Sequence, residues 1–98
     1  MLEINITIFE QNNSKYYFLK YSTKTKVGIR AYKIEETKKM IDNLKESLSY
    51  QDNLDMIVIK SEKENFGHEE YNLIGMKKIQ SLLSETFPYS KILYIIKN

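Results

Sequence analysis

The chain has 98 residues, of which 42% are hydrophobic and 29% are charged, a composition typical of one folded domain rather than of a disordered chain. It contains no cysteine, so disulfides, thiolate metal sites and cysteine nucleophiles are excluded. Its 15 basic and 13 acidic residues give a formal net charge of +2. We expect a single compact domain over residues 1–98.

The first ten residues alternate apolar and polar side chains, with Leu2, Ile4, Ile6 and Ile8 on one face. This period predicts a half-buried strand and differs from the apolar core of a secretory leader. The longest apolar run, residues 92–96, is far too short to cross a membrane. We therefore expect a cytoplasmic protein that does not engage a membrane.

Two further strands are predicted at residues 15–22 and 27–32, after a polar turn at 11–14 and a break in the pattern at 23–26. Such short connections predict a three-stranded antiparallel meander. The side chains expected to face the core are Ile4, Ile6, Ile8, Leu19, Tyr21, Val27 and Ile29. The side chains expected to face outward are Phe9, Tyr16, Phe18, Lys20, Arg30 and Tyr32.

The second half of the chain alternates helices and strands. Residues 34–49 and 68–87 have helical periodicity, and Pro88 ends the second helix. Residues 54–60 and 91–97 are apolar on both faces, as in internal parallel strands. The element order β-β-β-α-β-α-β predicts a mixed α+β fold.

Right-handed crossovers restrict the topology. If the fourth strand lies beside the first and the fifth beyond it, the sheet order is 3-2-1-4-5 and both helices lie on one face. An apolar area would then remain uncovered on the other face, which is typical of an interaction surface. The element order resembles that of ribonuclease H-like domains without their final helix, and this is an analogy of topology alone.

Residues 11–34, here called the basic arm, concentrate the positive charge. The arm contains six basic residues, no Asp or Glu, and five aromatic residues, so the rest of the chain is net acidic. The side chains that we predict to bind a partner are Lys15, Tyr16, Phe18, Lys20, Lys24, Lys26, Arg30 and Tyr32.

Three interpretations of the arm remain open. Tyr, Phe and Arg are enriched at the centres of protein interfaces, and an apolar face can pair two copies of a chain. Aromatic and basic residues on a sheet can instead stack bases and neutralise phosphates. Alternatively, Tyr16 and Phe18 pair only with their neighbours while the lysines solvate an edge.

The basic, aromatic meander and the uncovered sheet face, in a sequence without a recognisable nucleophile motif, favour a binding module without enzymatic activity or a cofactor. We expect a small inhibitor or adaptor of the kind that phages and mobile elements carry. Its expected partner is another protein, with a second copy of the chain also considered, and a nucleic acid is the alternative.

An acidic edge suggests a second alternative, a metal-dependent ribonuclease H-like nuclease or a remnant of one. Glu10, Glu36 and Glu62 fall near the carboxyl ends of parallel strands, where converging carboxylates could hold Mg²⁺ or Mn²⁺. Ribonuclease H-like enzymes place an Asp inside the first strand, whereas this chain offers only the terminal Glu10. His68 has no neighbouring Ser and Asp with which to form a triad. We do not expect an enzyme.

Overall fold

A computed structural model describes residues 1–48, 54–62 and 69–97, with the backbone alone at 62, 69–76, 96 and 97. The strands are β1 (Leu2–Gln11), β2 (Ser14–Ser22), β3 (Val27–Lys33), β4 (Met56–Glu62) and β5 (Lys91–Lys97). A 3₁₀ turn (Ile34–Glu36) leads into α1 (Thr37–Ser47), and α2 spans Glu69–Thr86. The five-stranded mixed sheet has the order β3-β2-β1-β4-β5, which confirms the predicted fold.

The meander is built on a tight hairpin. Asn12 and Asn13 adopt positive φ angles of 52° and 62°, the conformation of a two-residue turn whose twist matches the flanking strands. Gln11 pairs with Ser14 across it. β2 and β3 also pair antiparallel, whereas β4 pairs parallel to β1 and β5 parallel to β4.

Both helices cover the same face of the sheet, as predicted, and this face contains the core. The apolar stripe of α1 is buried as its periodicity indicated, through Met40, Ile41 and Leu44 and through Leu48 directly after the helix. Further core residues are Leu2, Ile4, Ile6, Tyr17, Leu19, Ile57, Ile59, Ile79 and Leu83. No helix within the described residues is long and apolar enough to cross a membrane.

Polar contacts fix the junction between β3 and α1. The backbone N–H of Lys33 donates to Glu36 Oε1 at 3.0 Å, and this bond lowers the pKa of the Glu36 carboxyl. The Thr37 hydroxyl donates to the Ile34 carbonyl at 2.7 Å. Burial raises the pKa of the neighbouring Tyr17 hydroxyl, and its hydrogen bond with Thr37 acts in the opposite direction.

The predicted orientation of β3 was wrong. Tyr17 pairs with Tyr32, Leu19 with Arg30 and Tyr21 with Gly28, and directly paired residues share a face of the sheet. Arg30 and Tyr32 therefore point toward the helices.

Val27, Ile29 and Ala31 point away from the helices instead. The four-residue loop between β2 and β3, closed by a Thr23 N–H to Lys26 carbonyl bond of 2.8 Å, fixes this register. Because side chains alternate with a period of two, a shift of the pairing by one residue would move every side chain of β3 to the other face of the sheet.

Candidate interaction surface

The face of the sheet opposite the helices carries an exposed apolar cluster on β1, β2 and β3. We call it the aromatic–aliphatic patch, and its members are Phe9, Tyr16, Phe18, Val27, Ile29 and Ala31. Val27 and Ile29 expose 67% and 54% of their surface, and Phe18 exposes 41%. Clustered exposed apolar side chains of this kind mark interaction sites more often than isolated ones do.

Strand register brings the patch together. Phe9 is the direct partner of Tyr16, and their rings stack with centroids 5.3 Å apart and an interplanar angle of 15°. Phe18 is the direct partner of Ala31 on β3. The aromatic side chains of the hairpin are thus continuous with the aliphatic side chains of the edge strand.

A polar band crosses the middle of the same face and divides its apolar surface. Lys60 Nζ lies 2.9 Å from Glu3 Oε1, and Asn5 Nδ2 donates to Glu3 Oε1 at 3.5 Å. Asn5 pairs with Lys20 on one side and with Lys60 on the other. The exposed apolar area that the sequence predicted is therefore present but is not continuous.

Beyond the polar band, β5 exposes a second apolar pair. Leu93 and Ile95 are 39% and 42% exposed and pair with Val58 and Lys60 of β4. They lie on the opposite edge strand from Val27 and Ile29, which makes them a matched control for the patch.

Few of the predicted binding residues contribute to the patch. Tyr16 and Phe18 belong to it, and Lys20 adjoins it in the polar band. Lys15 is half-buried at the start of β2, opposite Glu10. The structure therefore brings together the aromatic residues of the hairpin more closely than its cations.

The remaining predicted binding residues lie elsewhere. Lys24 is exposed in the loop between β2 and β3, and Lys26 Nζ donates to the Ser47 carbonyl at the end of α1 at 2.9 Å. Arg30 is exposed on the helix side of β3. Tyr32 is 8% exposed, and its hydroxyl accepts a hydrogen bond of 3.3 Å from Asn43 Nδ2.

The acidic edge does not form a metal cluster among the residues that the structure describes. No group of three or more His, Asp or Glu side chains there could hold an ion. Glu10 is exposed, and Glu36 is engaged by the Lys33 backbone. The side chain of Glu62 and the whole of His68 lie outside the described residues.

The exposure of Val27 and Ile29 was not predicted from the sequence, which placed both side chains in the core. The sequence did contain one signal for the orientation of β3, namely Tyr21 and Gly28 on either side of the loop, which pair in the structure. A Cβ added at Gly28 would stand 2.6 Å from the Tyr21 hydroxyl oxygen, so the ring occupies the space that a side chain would need. A large aromatic residue and a glycine near the closing loop favour a shared face, which would have turned Val27 and Ile29 outward.

Comparison with known proteins identifies no family. No family model matches the chain, and no curated protein matches it. One similar chain occurs in the cryo-EM structure of the simian T-cell lymphotropic virus intasome in complex with the PP2A regulatory subunit B56 gamma, with a TM-score of 0.46 and 14% sequence identity. The similarity covers 97% of the present chain but only 30% of that chain. It is too distant to indicate a function.

Proposed function

We propose that this protein is a non-enzymatic binding module that engages another protein through the aromatic–aliphatic patch. It would act by occupying its partner, as a small inhibitor or adaptor does, rather than by chemistry. The observation that carries the proposal is the orientation of β3, which directs Val27 and Ile29 into solvent while Arg30 faces the helices.

Burial of the exposed aliphatic side chains against a partner would contribute favourable binding free energy. Full burial of a Val or Ile side chain contributes roughly 1.5–3 kcal/mol. Since about half or more of each of these side chains is exposed, covering Val27 and Ile29 would contribute about 1 kcal/mol or more apiece. Phe18 supplies an aromatic side chain of the type that anchors protein interfaces.

The arrangement favours a protein over a nucleic acid as the partner. Bases bind to free aromatic faces, but Phe9 and Tyr16 stack on each other, so one face of each ring is already occupied. Val27 and Ile29 offer aliphatic surface, which suits burial against apolar side chains better than base stacking. Positive charge near the patch is compatible with either partner.

A photo-crosslinking experiment tests the proposal. The full chain carries a photoreactive phenylalanine analogue either at position 18, within the patch, or at position 89, where Tyr89 is 97% exposed outside it. In the cells that produce the protein, position 18 should yield a discrete protein adduct and position 89 should not. The same adducts from both positions, or adducts that nuclease treatment removes, would contradict the proposal.

A pair of double variants locates the contact. Val27→Thr with Ile29→Thr keeps the β-branched shape but makes the patch polar, and should abolish the position-18 adduct. Leu93→Thr with Ile95→Thr makes the same chemical change on β5 and should leave the adduct intact. Equal loss from both double variants would refute the assignment to the patch. Because these positions are exposed, thermal unfolding should change little.

A further inference from the structure

We infer that the partner supplies an extended segment of alternating acidic and apolar residues, which pairs with the free edge of β3 as a sixth strand. The inference rests on the proposed function and names the chemistry of the segment that the patch would receive. It follows from three features of β3: its position in the sheet, its alternation and its charge.

Among the residues that the structure describes, β3 lies at one end of the sheet order and pairs with β2 alone. Its other edge offers backbone N–H and C=O groups to an incoming strand, because no described strand lies beside it to satisfy them. Addition of a peptide strand to such an edge is a recurrent mode of recognition, in which backbone hydrogen bonds give affinity and alternate side chains give specificity.

The two sides of β3 differ chemically. Val27, Ile29 and Ala31 lie on the outer side, where Ala31 pairs with Phe18 and Ile29 with Lys20, whereas the exposed Arg30 lies on the helix side. An added strand places successive side chains on opposite sides of the sheet. Its outer side chains would meet aliphatic surface, and a helix-side residue opposite Arg30 would meet a guanidinium group. An acidic residue there and apolar residues on either side of it complement this pattern.

Charge favours an acidic segment over a second copy of the same chain. The basic arm contains six basic residues and no Asp or Glu, and β3 is part of it. Pairing two β3 strands would bring two such arms together, and like charges on adjacent strands are destabilising. Opposite charges across the same pairing would be stabilising.

The polar band favours docking at the edge over docking across the whole face. A flat partner that covered the sheet would bury the Glu3–Lys60 ion pair, whose side chains are now 30% and 26% exposed, and desolvating such a pair is costly. Strand addition at β3 extends the patch without covering the band.

Synthetic peptides test the inference directly. The probe is a fluorescein-labelled peptide, Glu-Val-Glu-Ile-Glu-Val-Glu, and fluorescence anisotropy measures its binding to the full chain. We expect saturable binding that weakens as salt increases. A scrambled peptide of the same composition, with its acidic residues grouped together, should bind more weakly. Absence of saturable binding up to about 1 mM would overturn the inference.

Charge reversal tests the contact with Arg30. Arg30→Glu should weaken binding of the acidic peptide about tenfold and should favour a peptide in which Lys replaces Glu. Arg30→Gln, which removes the charge without reversing it, should give an intermediate affinity. Circular dichroism of both variants checks that a loss of binding is not caused by misfolding. An unchanged affinity in both variants would remove Arg30 from the contact and overturn the inference.

Backbone methylation tests strand pairing itself. One peptide is N-methylated at every acidic residue, another at every apolar residue and a third at both, so that the third offers no backbone N–H along either edge. Because the peptide sequence reads the same in both directions, it can present either edge to β3, and strand addition predicts that each singly methylated version retains binding in one direction whereas the third loses it. Undiminished binding of the third version would indicate docking through side chains alone and would contradict the inference.

The outcomes separate this inference from the proposed function. A specific position-18 adduct together with failure of all peptides would leave the protein-binding proposal standing and refute the acidic strand. Light scattering that gives twice the mass of one chain, abolished by Val27→Thr with Ile29→Thr, would identify a second copy and refute it too. Binding of single-stranded DNA or RNA at the patch in place of the peptides would overturn both.

Discussion

The close approach of Tyr21 to Gly28 predicts a measurable coupling between the two positions. The Tyr21 ring lies across Gly28, and an added Cβ would stand 2.6 Å from its hydroxyl oxygen and closer still to two ring carbons. Carbon contacts are optimal at about 3.5–4.0 Å, so the ring must move by roughly 1 Å. Gly28→Ala should therefore displace Tyr21 from its place beside the core.

The expected magnitude is the difference of two effects. Overpacking costs about 1–3 kcal/mol, whereas replacing Gly by Ala in a compatible strand stabilises by about 0.4–1 kcal/mol through the unfolded state. Gly28→Ala should thus lower the free energy of unfolding by roughly 1 kcal/mol. For a domain of this size, the midpoint of thermal unfolding should fall by about 4–8 °C.

A double-mutant cycle measured by urea unfolding checks the cause. In a Tyr21→Ser background the ring is absent, so Gly28→Ala should become neutral or slightly stabilising. The coupling energy should be about 1 kcal/mol or more. Equal effects of Gly28→Ala in both backgrounds would refute the reasoning. A stabilising effect of Gly28→Ala in the chain that retains Tyr21 would refute it too.

Three further predictions concern charged and titratable groups. A double-mutant cycle of Glu3→Gln and Lys60→Met should give a coupling of about 0.2–1 kcal/mol that decreases as salt increases. The raised pKa of Tyr17 should make the folded protein lose stability above about pH 10, where the tyrosine of the unfolded chain ionises and the buried one does not. Tyr17→Phe should remove that loss. Glu36→Gln should remove a loss of stability in acid, since the lowered pKa of this carboxyl, held by the Lys33 N–H, stabilises the ionised form above about pH 4.

Each of these measurements can contradict its assignment. An alkaline loss of stability that persists undiminished in Tyr17→Phe, or an acid loss that persists undiminished in Glu36→Gln, would contradict the assignment to that side chain. A Glu3–Lys60 coupling that is insensitive to salt would contradict the ion-pair interpretation.

The sequence by itself was sufficient to predict the architecture. Period-two alternation in residues 1–10 located β1, and helical periodicity identified the buried stripe of α1. With the fourth strand placed beside the first and the fifth beyond it, right-handed crossovers then placed both helices on one face. These predictions succeeded because they depend on local periodicity and on a chirality rule that holds across sheets.

The candidate site was only partly predictable. Tyr16 and Phe18 were recognised as outward-facing because they share a face of β2 with Lys20, opposite Leu19 and Tyr21. β3 has apolar residues at one parity and Arg30 and Tyr32 at the other, and the expectation that aliphatic residues lie inside gave the wrong orientation. Burial of the large Tyr32 ring decided the orientation instead. Tyr32 is buried on the helix side of β3, whereas Arg30 on the same side remains exposed.

Only the tertiary structure decided which residues form the surface. The register across the loop between β2 and β3 turned Val27 and Ile29 into solvent, and pairing of β1 with β4 brought Lys60 next to Glu3 to divide the face. Both outcomes depend on contacts between strands rather than on the pattern within one strand. The composition of the basic arm was sufficient to indicate an interaction surface. Which of its side chains face solvent depended on the register, because a shift of one residue exchanges the two faces of a strand.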